Sequence, residues 1–296
     1  MMSRQESTPQ DSPLWQSLDA LPPSALGVHR YLLVNQGALQ GQGALVSRLL
    51  TLPHHALLGQ DADACSDGVT PFLLRIDTGI ASHRHQIAAL ADAACYASAL
   101  CVIDSALELR ELARVLTART EVLLSDDMPM LLRFFDTRVL FALLETLTDA
   151  QRAAFLSCAV HWWAADREGA MVPCTRLDAG GVDSFTAPLR LTTAQEVAMI
   201  TASEPDAVMD LLTSRGTPRF MAIPYPARYP VVRAILERAR GWGLRDLPEM
   251  QSFAMLCMLA GMDFDQHEPW AALLPEVSDG RLTFNEALQR AAEQEE

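Results

Sequence analysis

Four short apolar runs punctuate the first half of the chain: Tyr31 to Val34, Pro71 to Ile76, Leu100 to Ile103 and Met130 to Phe135. Polar residues Asn35, Asp77, Asp104 and Asp136 close them. Runs of this length between polar breaks predict buried strands, although periodicity alone does not separate them from short helices. Between the runs the period changes. Leu109, Leu112, Ala113 and Leu116 recur at i, i+3, i+4 and i+7, and Val139, Leu140, Leu143, Leu144 and Leu147 form a second stripe, so each segment predicts a helix with one apolar face. Ser105-x-x-Glu108 and Thr148-x-x-Gln151 have the form of capping boxes, and Asp136 that of an N-cap. Strand and helix in alternation predict an α/β lobe with a mixed or mostly parallel sheet flanked by helices.

Residues 164–190 break this rhythm with Gly169, Pro173, Gly180, Gly181 and Pro188, and predict irregular strands and a linker. Helical patterning follows. Thr193-x-x-Glu196 and Thr283-x-x-Glu286 read as capping boxes, and Ser203 as the cap of a separate helix bearing Val208, Leu211 and Leu212 that stops near Gly216 and Pro218. Pro230 is placed near the first position of the next helix, Gly241 at its end, and Leu247 to Leu259 in a buried helix. The predicted organisation is a polar tail (1–27), an α/β lobe (28–190) and a smaller all-helical lobe (191–296).

The chain has 296 residues, half of them hydrophobic, which supports a buried core and argues against disorder. A formal net charge of −14 makes nucleic acid an unsuitable partner. All 23 Lys+Arg residues are arginine, which excludes chemistry that needs a Schiff-base or phosphate-loop lysine. Cys65, Cys95, Cys101, Cys158, Cys174 and Cys257 form no CxxC pair and sit mostly in apolar stretches, so they read as buried free thiols of a reducing compartment. With neither a signal-peptide core nor a membrane-length apolar stretch, the sequence predicts a cytoplasmic protein with no membrane insertion.

Candidate chemistry is sparse. His83 and His85 lack further ligands at metal-binding spacing and read as a solvated segment ahead of a helix at Ile87; His54 and His55 read as loop. Gly37, Gly41 and Gly43 do not complete a dinucleotide fingerprint, and Asp126-Asp127 and Asp61/Asp63 read as turn acids. No catalytic, cofactor-binding or metal-binding residues are assigned, and no cofactor is expected. Arg133 stands out because a guanidinium inside an apolar strand is costly to bury unpaired. Either Arg133 and Asp136 staple strand to helix, with Arg138 also in reach, or these residues contact a partner. Trp162 and Trp163 read as core aromatics or as an interface anchor; as strand neighbours they point opposite ways, so at most one lies in any one core.

The run Arg133-Phe134-Phe135-Asp136-Thr137-Arg138-Val139-Leu140 resembles the R-[FY]-[FY]-D-P-R-V-L signature of the type VI secretion effector adaptors, also called Tap or TEC chaperones. Tyr31 to Ala38 is similar to that family's opening LLVDGA strand, Thr70 to Leu74 to its APYLV strand, and Leu147 to Trp163 to the helix and strand that follow the motif. Gly243-Leu244, Phe253 and Gly261-Met262-Asp263-Phe264 resemble its later helices. Asn35 stands where the family often has aspartate, and Thr137 replaces the proline of the motif. The resemblance implies a non-catalytic adaptor that binds a cognate toxic effector in the producing cell and helps load it onto the VgrG spike. It marks Arg133, Phe135, Asp136 and Arg138 as motif residues and Trp162 and Trp163 as candidates for partner contact. The helical lobe is the expected effector-facing surface. Two other classes stay open: an immunity protein that neutralises a toxin, and an α/β enzyme with an unrecognised site.

Overall fold

The computed structural model describes residues 12–59, 68–77, 79–174 and 182–295. The chain divides into two compact units, Met1–Ile200 and Thr201–Glu296. In the first, the strands are β1 (His29–Val34), β2 (His54–Ala56), β3 (Phe72–Ile76), β4 (Leu100–Ser105), β5 (Glu121–Leu123), β6 (Pro129–Leu131), β7 (His161–Ala165), β8 (Met171–Pro173) and β9 (Leu189–Arg190). Its helices are α1 (Pro13–Asp19), α2 (Gly43–Leu49), α3 (Ala81–Ala94), α4 (Leu109–Ala118), α5 (Thr137–Thr146) and α6 (Asp149–Leu156). Helix α7 (Thr193–Ser214) crosses the boundary, ten residues beyond the predicted start of the helical lobe.

The principal sheet has the order β2-β3-β1-β4-β7-β8, and every neighbouring pair is antiparallel. This corrects the expectation of a mixed or mostly parallel sheet, while the α/β class stands. The physical reason lies in the topology. Strands β3 and β4 run in the same direction with α3 as crossover, as strand–helix–strand alternation implies, but β1 occupies the place between them and pairs antiparallel with both. Helices cover both faces, so the strands are continuous apolar runs of the kind more usual in parallel sheets.

Alternation along the strands feeds two separate cores. Leu32, Val34, Leu100, Val102, Trp163 and Ala165 face α1, α2 and α3, where they meet Leu14, Trp15, Leu49, Ile87 and Leu90. Tyr31, Leu33, Cys101, Ile103, Trp162 and Ala164 face α4, α5 and α6, meeting Leu112, Leu116, Leu140, Leu143 and Phe155. Part of the predicted polar tail is therefore structural: Leu14, Trp15 and Leu18 of α1 are buried in the first core. A smaller sheet, β6-β5-β9, combines an antiparallel β5–β6 pair with a parallel β5–β9 pair. Asp126 and Asp127 form the β5–β6 turn, with Asp127 at φ 62° and the Asp126 carboxylate accepting from the Met128 amide.

The second unit contains the C-terminal part of α7 with α8 (Pro218–Ala222), α9 (Tyr225–Gly241), α10 (Leu247–Leu259), α11 (Trp270–Ser278) and α12 (Phe284–Glu295). Its core is built on Phe253, Phe264, Trp270 and Phe284, with neighbouring ring centroids 4.9 to 6.5 Å apart.

The predicted capping boxes at Thr148/Gln151 and Thr283/Glu286 form as read. Other local predictions shift. Ser105 ends β4 and donates to the Cys158 carbonyl, so Glu108 becomes the N-cap of α4. The box at α7 is Thr192/Gln195, one residue earlier than predicted, and Glu196 instead accepts from the Ser125 amide and hydroxyl. No helix begins at Ser203, because α7 runs through Pro205 and buries Val208 and Leu212 beyond it. Pro230 is interior to α9, whose first turn carries Pro226 instead. The left-handed residue that ends α9 is Gly243, at φ 85°, rather than Gly241; the Gly243 and Leu244 amides return to the Arg240 and Ala239 carbonyls as a Schellman closure.

His83 and His85 lie within α3, which starts earlier than predicted, and His54 and His55 form the edge strand β2. The Gly37 segment is a short 3-10 turn, Gln36–Ala38, ahead of α2. Asp61, Asp63, Cys65, Gly180 and Gly181 lie outside the described residues. The remaining five cysteines are free thiols. Burial pushes Cys101 and Cys257 up to about 12 and Cys158 to about 11, so these sulfurs are packing groups rather than nucleophiles at neutral pH.

Candidate interaction surface

The motif run begins where β6 leaves the small sheet. The fourth predicted strand, Met130 to Phe135, is only partly a strand: pairing ends at Leu131, and Leu132 to Asp136 form a turn leading into α5. The turn sorts its side chains sharply. Leu132, Phe134 and Phe135 are buried in the second core. Phe134 meets Phe155 edge-on at 5.4 Å and Trp162 at 6.0 Å between ring centroids.

Asp136 caps α5, accepting from the Arg138 amide at 3.0 Å. Its carboxylate also takes both arms of the Arg138 guanidinium, Nε at 3.0 Å and Nη2 at 2.7 Å. An anion at a helix N-terminus with a bidentate guanidinium on it is a well-satisfied arrangement. The partner of Asp136 is thus Arg138, and the Arg133–Asp136 staple does not form. Arg133 is exposed and lies over the Phe135 ring at 5.9 Å. The threonine at position 137 leaves an amide that a proline would lack, and this amide donates to the Ser98 carbonyl at 3.1 Å.

Trp162 and Trp163 lie on opposite faces of β7, one in each core, and both are buried. Trp163 packs against His161 with ring centroids 5.0 Å apart and the planes tilted by 31°, and carries the Arg30 guanidinium at 5.5 Å. Neither indole presents a surface to solvent.

The exposed part of this region is β6 itself. Pro129, Met130 and Leu131 are all exposed, as is Met128 before them. β6 ends its sheet, so among the described residues one of its edges has no strand partner. Methionine and leucine beside an open edge, followed two residues later by exposed Arg133, make a strip suited to an extended polypeptide. The apolar character of Met130-Leu131 had suggested burial; Pro129 is the sequence signal for an edge strand.

A second residue that the sequence reading missed is Arg119, at the end of α4. It is fully buried, donating to the Val115 carbonyl at 2.7 Å and to the Phe155 carbonyl at 2.7 Å. Its Nη2 meets Asp183 Oδ1 at 2.5 Å, and the guanidinium lies 4.6 Å from the Phe185 ring centroid. Partial burial pushes the Asp183 carboxyl up, but hydrogen bonds and charge from Arg119, with Ser157 and the Phe185 amide, outweigh it and hold Asp183 below the usual carboxylate range. This cluster fastens residues 183–185 to the second core. No local spacing in the sequence marks Arg119 as buried, because Phe155 and Asp183 lie 36 and 64 residues away.

Two more polar groups occupy one end of the principal sheet. On one face Arg30 grips Asp104 with Nε at 2.7 Å and Nη2 at 2.8 Å, and Ser24 donates to the same carboxylate at 3.2 Å. On the other, Arg75 donates to His29 Nδ1 at 2.8 Å, which leaves Nε2 to donate to Glu108 at 3.1 Å. Both nitrogens of His29 are hydrogen-bonded, so the group ties the ends of β1 and β3 to the start of α4. Asn35 is buried at the end of β1, and its side-chain amide makes no hydrogen bond among the described residues. Among the described residues, no three His, Cys, Asp or Glu side chains come together as metal ligands, and no helix is long and apolar enough to cross a membrane.

No curated protein and no solved structure matches the chain. Residues 30–154, a stretch that runs from β1 through the motif turn into α6, match the family described as a domain of unknown function (DUF4123).

Proposed function

We propose that this protein is a type VI secretion adaptor that binds a cognate toxic effector and helps load it onto the VgrG spike without chemically altering either. The reading rests on the ordered resemblance of its motifs to the effector-adaptor family. The observation that carries it is the junction inside residues 30–154 where the Arg133 to Leu140 run adjoins the open, apolar edge of β6. The buried half of the motif fixes the turn. The exposed half, Arg133 with Met128, Met130 and Leu131, is left to grip an extended segment of the effector by strand addition. The site of action is the cytoplasm of the producing cell.

The test is co-expression of the full chain with the toxin and spike proteins encoded beside it, followed by purification and mass spectrometry of what is retained. Both proteins are expected to co-purify, and Met130→Asp with Leu131→Asp should release the toxin while the chain stays folded. Failure to retain either protein would end the adaptor reading. Protection of a toxin-expressing cell by this chain alone, with no requirement for it in delivery, would replace the reading with that of an immunity protein.

A further inference from the structure

Within the second unit, α8 and α9 carry a charge opposite to that of the chain. Between Arg215 and Arg245 there are seven arginines and a single acid, Glu237, in a protein of net charge −14. The structure shows which of these cations are already engaged. Arg238 is bound to Asp265, Arg240 to Glu204 and Arg233 to Glu237. Arg245 donates to the Arg240 and Leu244 carbonyls. Arg228 donates to the Ile223 and Met221 carbonyls and lies over the Phe220 and Tyr225 rings at 5.1 and 5.3 Å. Arg215 and Arg219 are exposed, and neither guanidinium makes a hydrogen bond or ion pair among the described residues.

Large apolar side chains lie beside Arg219, which follows Arg215 by four residues. Met221, Tyr225, Leu259 and Met262 are each more than two-fifths exposed. They are linked through their neighbours: Arg228 joins Met221 to Tyr225, and a Cβ at Gly261 would lie 3.8 Å from Arg219 Nη1, which sets the Leu259 to Met262 corner beside Arg219. Asp263 borders the corner but is hydrogen-bonded to His267, which holds its carboxyl below the usual range. Arginine, methionine and tyrosine together are the composition of a protein-recognition surface, and a guanidinium without a partner matches a carboxylate in two-pronged fashion.

We propose that this face docks an acidic polypeptide segment, whose carboxylates pair with Arg215 and Arg219 and whose apolar side chains cover Met221, Tyr225, Leu259 and Met262. A phosphate polymer is the poorer fit, because its affinity grows with the number of cations engaged and its backbone has no apolar side chains to cover Met221 and Leu259. The face belongs to the second unit, and its chemistry does not depend on the adaptor reading.

The test uses the full chain and a short fluorescent peptide of alternating glutamate and leucine, with fluorescence anisotropy as readout. A lysine–leucine peptide and a single-stranded oligonucleotide of equal length serve as comparisons, and sedimentation velocity reports self-association. The acidic peptide is expected to bind best, to lose about tenfold in affinity with Arg215→Glu plus Arg219→Glu, and to weaken several-fold with Met221→Ser plus Leu259→Ser. If the charge reversal unfolds the chain, Arg215→Gln with Arg219→Gln carries the same comparison. Acidic and basic peptides binding equally would overturn the proposal, as would an affinity indifferent to both arginines. Oligonucleotide binding as tight as the peptide's and lost in the same variant would make the face a phosphate surface. Self-association abolished by that variant would make it an interface between copies.

Discussion

The two sheets of the first unit are fed by similar apolar runs and come to opposite ends. In the six-stranded sheet, Leu100 to Ile103 and Tyr31 to Val34 are covered by helices on both faces and have strand neighbours on both edges. In the three-stranded sheet, Pro129, Met130 and Leu131 are exposed on an edge with no further strand among the described residues. The large sheet is where substitution should cost stability. The edge of the small one is where substitution should cost contact. Arg119 and Arg133 repeat the contrast with charge: one is sealed among carbonyls, Asp183 and Phe185, the other lies over Phe135 in reach of solvent.

The largest effect should follow from Arg119→Ala. It strips Asp183 of its partner and leaves the Phe155 and Val115 carbonyls without their guanidinium donor inside the core, a loss of about 2–4 kcal/mol, below the full cost of breaking a buried pair because Asp183 keeps some exposure to water. Urea denaturation should place the midpoint far below that of the parent chain; a midpoint within error of the parent would show that the cluster does not hold the second core. Asp136→Ala comes next, at about 1–2 kcal/mol, because it removes the N-cap of α5 and the partner of Arg138 together. Asp136→Asn should recover part of the loss by keeping the cap, which separates capping from ion pairing.

A smaller effect should appear on acidification. Asp183 has a folded-state pKa below its unfolded value, so its contribution is fully present above about pH 4 and is lost as pH falls through the folded value. In Asp183→Asn, stability measured against pH should lack this part of the acid-side decline. An unchanged slope would mean that other carboxylates govern it. Smallest of all, Met130→Ser with Leu131→Ser should move stability by no more than about 0.5 kcal/mol, as usual for exposed positions. A large destabilisation by this pair would make β6 part of the fold's support and erase the contrast between the sheets.

How far the sequence was legible depends on the range of the interactions concerned. Strands β1, β3 and β4 and helix α10 were read nearly to their ends because their apolar content is continuous and their breaks are local. The caps at Thr148 and Thr283 involve residues three positions apart and were equally visible. Ser105 had the same spacing to Glu108, yet the Cys158 carbonyl, 53 residues away, took its hydroxyl. The motif run is visible in the sequence, but which arginine pairs with Asp136 is not, since only the fold shows that Asp136 faces along the helix it caps. Trp162 and Trp163 were placed on opposite faces by strand geometry alone. That both faces are cores depends on α1, α2 and α3 packing on one and α4, α5 and α6 on the other, which no local spacing records.

By itself the sequence determined the α/β class, the all-helical patterning of the C-terminal region, the arginine-only cationic chemistry and the motif run, because each is written in residue type and in spacings of a few positions. Tertiary structure alone decided strand direction, the burial of Arg119 and the exposure of β6, Arg215 and Arg219. Direction follows from which strand enters between two others, and exposure from which distant side chains arrive to cover a surface. Neither quantity has a period along the chain.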